Sequence, residues 1–510
     1  MLDTFDLLLN GFNNALTLQN LFFALIGSIL GTLVGVLPGL GPTAGIAILL
    51  PVTAYLPPAP AIIMLAAIYY GAMYGGSTTS ILVNIPGEIA SVVTTLDGYQ
   101  MAKQGRAGAA LAIAAISSFI AGTLGLLGLT FFAPPLADFA LKIGPPEMLG
   151  LVFLSFSVVV SLSGKSVLKG LSSAALGMWL CLIGLDPHAG VRRFTFGWIN
   201  LMGGIDFIAV IMGLFALAEV IKNMGAEITC IYSAPLRSLI LKWQELKQCF
   251  GAILRSSIVG FFLGCLPGCS PGAVTFLSYD LEKKISKNRE NFGKGAIEGV
   301  AAPEGANNAT TSGGFVPLLT LGIPPSPALA VLLGGLMIYG LQPGPLLFEK
   351  QKTFVWTVIA SMYIGNIMLL VLNLPLVGLW AKMVKVPYHI MAPVILLCCF
   401  IGTFSVRNSL FDVGTCLFFG VIGFFMDRMK VPATPLVLAL ILTPMLENTL
   451  RETISMGAGS LTILMNRPIA LILMGVGVLA VLVTIYGRYR KKEVLKFLSI
   501  GEDEISSEEM

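Results

Sequence analysis

Two stretches set Ser, Thr and Asn side chains, without any lysine or arginine, into otherwise apolar sequence. The first is Gly71-Ala-Met-Tyr-Gly-Gly-Ser-Thr-Thr-Ser-Ile-Leu-Val-Asn-Ile-Pro-Gly87 and the second is Glu304-Gly-Ala-Asn-Asn-Ala-Thr-Thr-Ser-Gly-Gly314. Glycine lets backbone N–H groups come close to a ligand. Ser, Thr and Asn cap helix N-termini, where the free N–H groups and the positive dipole end hold anions. Two such tips meeting inside a membrane would bind a carboxylate without an arginine, and carbonyls at the broken ends would serve Na⁺. The competing reading of any single hydroxyl is a bond back to its own helix. The candidate ligand residues here are Gly76, Ser77, Thr78, Thr79, Ser80 and Asn84, with Asn307, Asn308, Thr310, Thr311 and Ser312. Glu304 is the candidate ion-coupling residue, as cation ligand or proton carrier, because an ionisable group at membrane depth is a functional residue by default.

A second pair of motifs breaks helices. Gly35-Val-Leu-Pro-Gly-Leu-Gly-Pro42 and Gly264-Cys-Leu-Pro-Gly-Cys-Ser-Pro271 each hold two prolines, at Pro38, Pro42, Pro267 and Pro271. One reading is a hairpin lining the ligand site, which adds Gly39, Gly41, Pro42, Thr43, Gly268, Ser270 and Pro271 to the candidates. The other is a packing kink. Glu298 lies near the second tip, while Glu219, Asp206 and Asp412 read as interfacial or paired, and His188 as a loop residue. With two histidines, no nucleophile–base constellation, no phosphate loop and no Cys/His metal spacing, the sequence offers no catalytic residue, no metal site and no cofactor beyond a coupling ion. The eight cysteines read as small buried hydrophobes.

The elements that must position these groups are membrane helices. Of 510 residues, 56% are hydrophobic and only 11% charged, and the mean hydropathy is +0.87. A soluble domain has about 25% charged residues. The net charge of +4 provides no field for nucleic acid. Counting about 20 apolar residues per span, candidates lie near 18–36, 59–82, 107–133, 147–163, 168–184, 205–222, 251–266, 308–324, 354–378, 387–404, 411–425, 433–446 and 468–486. The N-terminus carries no signal-peptide pattern, and the acidic end 501–510 reads as a short disordered tail.

The motifs recur in order. Residues 35–42 match 264–271, Ser77-Thr-Thr-Ser80 matches Ala309-Thr-Thr-Ser312, Ile85-Pro86-Gly87 matches Ile323-Pro324-Pro325, and Gly98, Met101 and Gly108 match Gly334, Met337 and Gly344, at offsets of 229 to 238. This predicts two homologous halves, roughly 18–222 and 247–446, plus a terminal helix at 468–486. In terms of regions, 1–245 is a first membrane repeat with a cytoplasmic linker, 246–450 a second, and 451–510 the terminal helix with its tail. The loop 42–60 has no charge, whereas its counterpart carries Lys283, Lys284, Lys287, Arg289 and Lys294. Short basic loops stay cytoplasmic, so equivalent loops fall on opposite sides. A re-entrant hairpin and five crossings per half satisfy this, with Arg192, Arg193, Lys350 and Lys352 as mild violations. The fold class is therefore an all-α polytopic membrane protein with two inverted-topology repeats, re-entrant or broken helices and about 11–13 membrane segments, the signature of secondary transporters.

Residues 35–45, 69–87, Asp97-Gly-Tyr-Gln-Met-Ala-Lys-Gln-Gly-Arg-Ala-Gly108 and Gly335-Leu-Met-Ile-Tyr-Gly-Leu-Gln-Pro-Gly-Pro345 resemble the large membrane subunit (TctA-like) of the tripartite tricarboxylate transporters, over essentially 18–485. The resemblance implies a multi-pass protein of the bacterial inner membrane that imports carboxylates, citrate being the namesake, by symport on an ion gradient. It implies two partners, a periplasmic solute-binding protein and a small four-helix membrane subunit. It leaves open which carboxylate is carried and whether Na⁺ or H⁺ drives it. A standalone ion-coupled carboxylate symporter is the alternative.

Overall fold

The computed structural model describes residues 2–37, 40–162, 166–223, 239, 241–266, 268–383 and 388–486. Pro38, Gly39, Lys165, Pro267, Lys385, most of the linker after Asn223 and the acidic tail lie outside these residues.

The first half opens with α1 (Leu2–Ala15), α2 (Leu18–Val36), α3 (Gly41–Thr53) and α4 (Pro58–Val83). A single turn at Ile89–Ser91 leads into α5 (Val92–Lys103), followed by α6 (Ala107–Ala140), α7 (Pro145–Leu162) and α8 (Val167–Cys181). After a two-stranded hairpin of β1 (Gly184–Leu185) and β2 (Arg192–Arg193), the half closes with α9 (Phe207–Ile211), a π-helical turn at Met212–Leu217 and α10 (Ala218–Asn223). The second half runs through α11 (Trp243–Gly264), α12 (Pro271–Ile285), α13 (Glu298–Leu321), α14 (Pro327–Ile338), α15 (Pro345–Lys350) and α16 (Lys352–Asn373). It continues with α17 (Val377–Met383), α18 (Tyr388–Arg407), α19 (Leu410–Arg428) and α20 (Thr434–Met456). The last helix, α21, is Pro468–Tyr486. Seven of these helices (α2, α4, α6, α11, α16, α19 and α21) are both long and apolar enough to cross a bilayer. The molecule is an all-α polytopic membrane protein, and the small β1–β2 hairpin sits in a connecting loop.

Glycine sets the closest helix crossings. Gly27, Gly31 and Gly35 of α2 lie against Met64, Ile68 and Ala72 of α4, and a Cβ at Gly35 would sit 2.3 Å from the Ala72 carbonyl oxygen. Residue numbers rise together along both helices, so α2 and α4 run parallel. Consecutive parallel helices need a return between them. The 13-residue α3, too short to cross, supplies it. Thus α2 and α3 form a re-entrant hairpin beside α4.

The second half repeats the arrangement. Gly260 and Gly264 of α11 lie against Ala306 and Thr310 of α13, and a Cβ at Gly264 would sit 2.5 Å from the Thr310 oxygen. Shifting α2 by 229 residues and α4 by 238 turns the Gly31–Ile68, Gly35–Ala72 and Gly75–Thr32 contacts into Gly260–Ala306, Gly264–Thr310 and Gly313–Phe261. Small residues let backbones approach where lipid offers no hydrophobic drive to associate.

The halves are inverted. Tyr70 of α4 bonds Ser312 of α13, while Ser77 bonds Glu304, so numbers rise on one helix as they fall on the other. The two hairpins therefore enter from opposite faces. Peripheral helices exchange partners in the same sense: Gly177 of α8 packs on Leu436 of α20, and Gly213 of the π turn packs on Cys416 of α19. Of the most apolar membrane-length stretch of α4, 94% is buried, against 11% for α21, which puts α4 at the centre and α21 on the rim.

Charge assigns the faces. Lys103, Arg106, Lys222, Lys283, Lys284, Lys382 and Arg428 fall at helix ends on one face, which the positive-inside rule makes cytoplasmic. Arg193, a violation of that rule, is held on the other face by Glu447 at 2.8 and 3.3 Å, which offsets its charge.

Candidate functional site

The two polar motifs come together, side by side rather than tip to tip. Sequence reasoning puts Ser77–Asn84 and Glu304–Ser312 at broken helix N-termini, and the structure corrects this. Gly76, Ser77, Thr78, Thr79 and Ser80 occupy the final turns of the continuous helix α4, which ends at Asn84 in the left-handed conformation (φ 60°). Asn307, Asn308, Thr310, Thr311 and Ser312 lie mid-helix in α13, which begins ten residues before the expected 308. Their glycines serve close helix packing, so polar content that reads as a break is a buried crossing.

Back-bonding accounts for several of these side chains. Thr79 and Ser80 donate to the Gly76 carbonyl, Thr310 to Ala306, Thr311 to Asn307, and Asn308 to Glu304. Ser312 also bridges to α4 through Tyr70 at 2.8 Å, with Tyr70 stacked on Phe315.

Glu304 is the convergence point. Its carboxylate accepts from Ser77 of α4 at 2.6 Å, from Thr94 of α5, and from Ser118 of α6 at 3.4 Å. One side chain from the second half is thus held by three hydroxyls from three helices of the first. Among the described residues no lysine or arginine pairs with Glu304; Lys294 lies in the basic loop, where its carbonyl accepts from Gln104.

A second carboxylate, which the motif reading passed over, sits one turn away. Glu88 follows the Ile85-Pro86-Gly87 break, caps Ala90 N–H, and accepts from the Asn307 amide at 3.0 Å. A Cβ on Gly76 would be 2.7 Å from Glu88 Cγ, so Glu88 and Glu304 flank neighbouring positions on α4. A carboxylate directly after an Ile-Pro-Gly break in an apolar run was the signal available for Glu88. Both residues are buried, at 8% and 1% exposure. Among the described residues every ion pair involves other carboxylates. Removing a carboxylate from water without a counter-charge is expensive, so this centre asks for a cation or protons.

The hairpin candidates divide. Gly41 (φ 60°), Pro42 and Thr43 start α3, which packs on α4, α14 and α18. Gly268 (φ 81°), Ser270 and Pro271 lead into α12. That second tip touches the Glu88 turn: Gly272 faces Ile89, and Gly268 donates to the Pro325 carbonyl. Gly39 lies outside the described residues. The remaining acids behave as interfacial or paired groups. Asp206 caps Ala209, Asp412 faces Arg407 at 3.8 Å, Glu219 bonds Asn223, and Glu298 accepts from Ser286.

A small cavity lies next to the Glu304 contacts, bounded by Tyr74, Ser77, Thr78, Ser118 and Asn373 and, on its apolar side, by Leu111, Ala114 and Ala115. Its volume is about 10 Å³, the room of one water. A carboxylate substrate does not fit there, so the centre is closed around its polar groups.

The basic loop is fastened to the other half by Asp97 of α5. Its carboxylate accepts from Tyr279 and from the N–H groups of Gly293, Gly295 and Ala296, all at 2.8 Å. On the opposite face, Asp186 accepts from the His188 and Ala189 N–H groups and from Arg451. The two backbone donors, then the guanidinium, hold its pKa well below the usual carboxylate range.

Comparison with known proteins adds relatives. A family model described as "Tripartite tricarboxylate transporter TctA family" matches residues 21–438. An uncharacterized 52.8 kDa protein in the TAR-I ttuC' 3'region of Agrobacterium vitis is 45% identical over 493 residues, which is 96% of this chain and 98% of the relative. An uncharacterized protein in the TAR-II ttuC' 3'region of the same organism is 42% identical over 233 residues, 46% of this chain and 96% of the relative. No solved structure matches.

Proposed function

The chain belongs to the tripartite tricarboxylate transporter TctA family, and on that premise we propose that it is the large membrane subunit of an importer that drives carboxylate uptake with a cation gradient. A periplasmic solute-binding protein delivers the substrate, a small four-helix membrane subunit completes the assembly, and the bacterial inner membrane is its place. Citrate or a related di- or tricarboxylate is the substrate.

The observation that carries this reading is the pair of buried carboxylates, Glu88 and Glu304, at the crossing of two inverted halves with no basic partner. An anionic substrate is repelled from an anionic centre unless positive charge enters with it. Cation coupling follows from that electrostatic requirement. Inverted halves supply the machinery, since hairpins from opposite faces expose one shared centre alternately.

Chemistry assigns separate roles to the residues. The substrate carboxylates meet the helix starts, at the first-turn N–H groups of Gly41 and Thr43 in α3 and at the Ser270 hydroxyl before α12; Pro42 and Pro271 have no N–H and shape the turns, and the Gly268 and Ser270 N–H groups are held by the Pro325 and Gly268 carbonyls. Ser77 and Thr78, with Asn307 nearby, connect that region to Glu304, which takes the coupling charge.

The test is uptake of labelled di- and tricarboxylates by vesicles carrying this chain and its small subunit, with and without purified binding protein. Uptake that requires the binding protein supports the tripartite reading. Uptake that proceeds equally without it points to the standalone symporter, and uptake driven by ATP in the absence of a gradient contradicts both.

A further inference from the structure

The connection between α8 and α9, on the outer face, joins two helices that are too short for the bilayer. α8 has 15 residues, about 22 Å, and the run from Phe207 to Asn223 through α9 and α10 is about 25 Å. The hydrocarbon core is about 30 Å thick. Both helices are pinned at their cytoplasmic ends, by Lys169 on the Met429 carbonyl and by Lys222 on Asp427. Their outer ends therefore stop short of the outer surface, and residues 182–206 lie at the depth of the lipid headgroups instead of in open water.

The composition of the connection fits that depth. Backbone that touches lipid must satisfy its own polar groups, and here the β1–β2 pairing is extended by bonds from the Leu185, Asp186 and Trp198 N–H groups to the Met202, Val191 and Thr195 carbonyls. Its buried charges are neutralised within the chain, Arg193 by Glu447 and Asp186 by Arg451. Apolar side chains instead point outward: Phe196 is 79%, Trp198 64% and Ile199 80% exposed. Phe194 and Phe196 hold left-handed backbone (φ 52° and 48°), which is costly for bulky residues, and the exposed Phe196 ring gains no packing inside the chain to offset it. The surface continues downward. The side of α8 turned away from α20 exposes Leu168, Leu171, Leu176 and Trp179, and the Trp179 ring meets Phe194 at 6.3 Å.

We propose that residues 191–199 are a phospholipid anchor: Phe196, Trp198 and Ile199 enter the outer leaflet at the glycerol level, and the Arg192 guanidinium binds lipid phosphate. Aromatic rings with a polar edge favour this zone, and a guanidinium matches phosphate geometry. Arg192 is exposed, and among the described residues no ion pair includes it. A phosphate partner accounts for a cation on the face that the positive-inside rule leaves poor in them. Through Arg193–Glu447 and the Gly177–Leu436 crossing, the anchor sets the depth of α8 and α20 together. The inference is independent of what the chain transports.

The experiment places the purified full chain, one copy per disc, in phosphatidylcholine nanodiscs and reads Trp198 fluorescence as the difference between wild type and Trp198→Phe. Lipid brominated near the glycerol end of the acyl chains should quench this emission, lipid brominated near the methyl end should quench it less, and acrylamide in the water should reach it poorly. Ile199→Trp in the Trp198→Phe background is a second reporter at an exposed position and should behave in the same way. Arg192→Glu, which repels phosphate, should shift the Trp198 emission to longer wavelength. Free quenching by acrylamide with no effect of brominated lipid at either position would overturn the anchor. Protection from acrylamide that appears only when purified periplasmic binding protein is added, or only in discs holding two copies, would overturn it too and assign the surface to that protein or to a second copy. An unchanged emission wavelength in Arg192→Glu would overturn the phosphate contact.

Discussion

At the scale of single residues, Glu304 stood out in the sequence as a carboxylate amid Asn, Thr and Gly in an apolar run, and the structure places it buried at the crossing of α4 and α13. Its partners were not legible. Thr94 and Ser118 lie 210 and 186 residues away in α5 and α6, and nothing local in either segment marks them. The Ser/Thr positions were read as helix tips, and tertiary packing made them interior turns of α4 and α13, where Thr79, Ser80 and Thr311 bond backward and Thr310 bonds both backward and to the Gly260 carbonyl of α11. This distinction yields a graded prediction. Ser77→Ala removes a hydrogen bond to a buried carboxylate, worth about 1.5–3 kcal/mol, and should weaken the cation dependence of uptake roughly tenfold. Thr311→Ala removes a back-bond and should change uptake by less than about twofold, since such bonds add little to helix stability. Equal effects of the two substitutions in one uptake assay would mean that Glu304 is not the centre.

At the scale of elements, the internal repeat foretold the hairpins, but the depth at which glycines lock them came only from the structure. Gly35 and Gly264 face carbonyl oxygens of α4 and α13 with no room for a methyl group. Overpacking costs about 1–3 kcal/mol where neighbours yield, and a backbone carbonyl yields least. Gly35→Ala and Gly264→Ala should both cut the yield of folded protein in size-exclusion profiles, whereas Gly414→Ala, with open space around it, should not. The loop between α8 and α9 offers a pH test. The Asp186 pKa is lowered in the folded state, so its stabilisation is fully present above the unfolded carboxylate value of about 4 and is lost as pH falls below it. The Tm difference between wild type and Asp186→Asn should therefore be larger at pH 7 than at pH 3. A difference that grows on acidification would contradict the assigned contacts.

At the scale of the whole molecule, composition was enough to read an all-α polytopic membrane fold, because apolar runs of membrane length with few charges leave little else. It could not show that the centre is shut around a water-sized cavity, since that depends on how α4, α6, α13 and α16 converge. The inversion itself predicts labelling. A cysteine at the exposed Pro57 should react with an impermeant maleimide from outside intact cells, and one at Lys287 only after permeabilisation. Both reacting from the same side would remove the two-fold relation between the halves.

The central claim is that a cation gradient acting at Glu304 drives carboxylate accumulation. It is tested most directly in proteoliposomes holding the chain, its small subunit and the binding protein, by following labelled citrate and a panel of related carboxylates under an imposed Na⁺ gradient or pH gradient. Wild type should accumulate one substrate above its external concentration under one of these gradients, and should fall to simple equilibration when an ionophore collapses it. Glu304→Gln, with the protein folded and inserted, should equilibrate substrate whether or not the gradient is present. Accumulation that survives the ionophore, or gradient-driven accumulation unchanged in Glu304→Gln, would contradict the account.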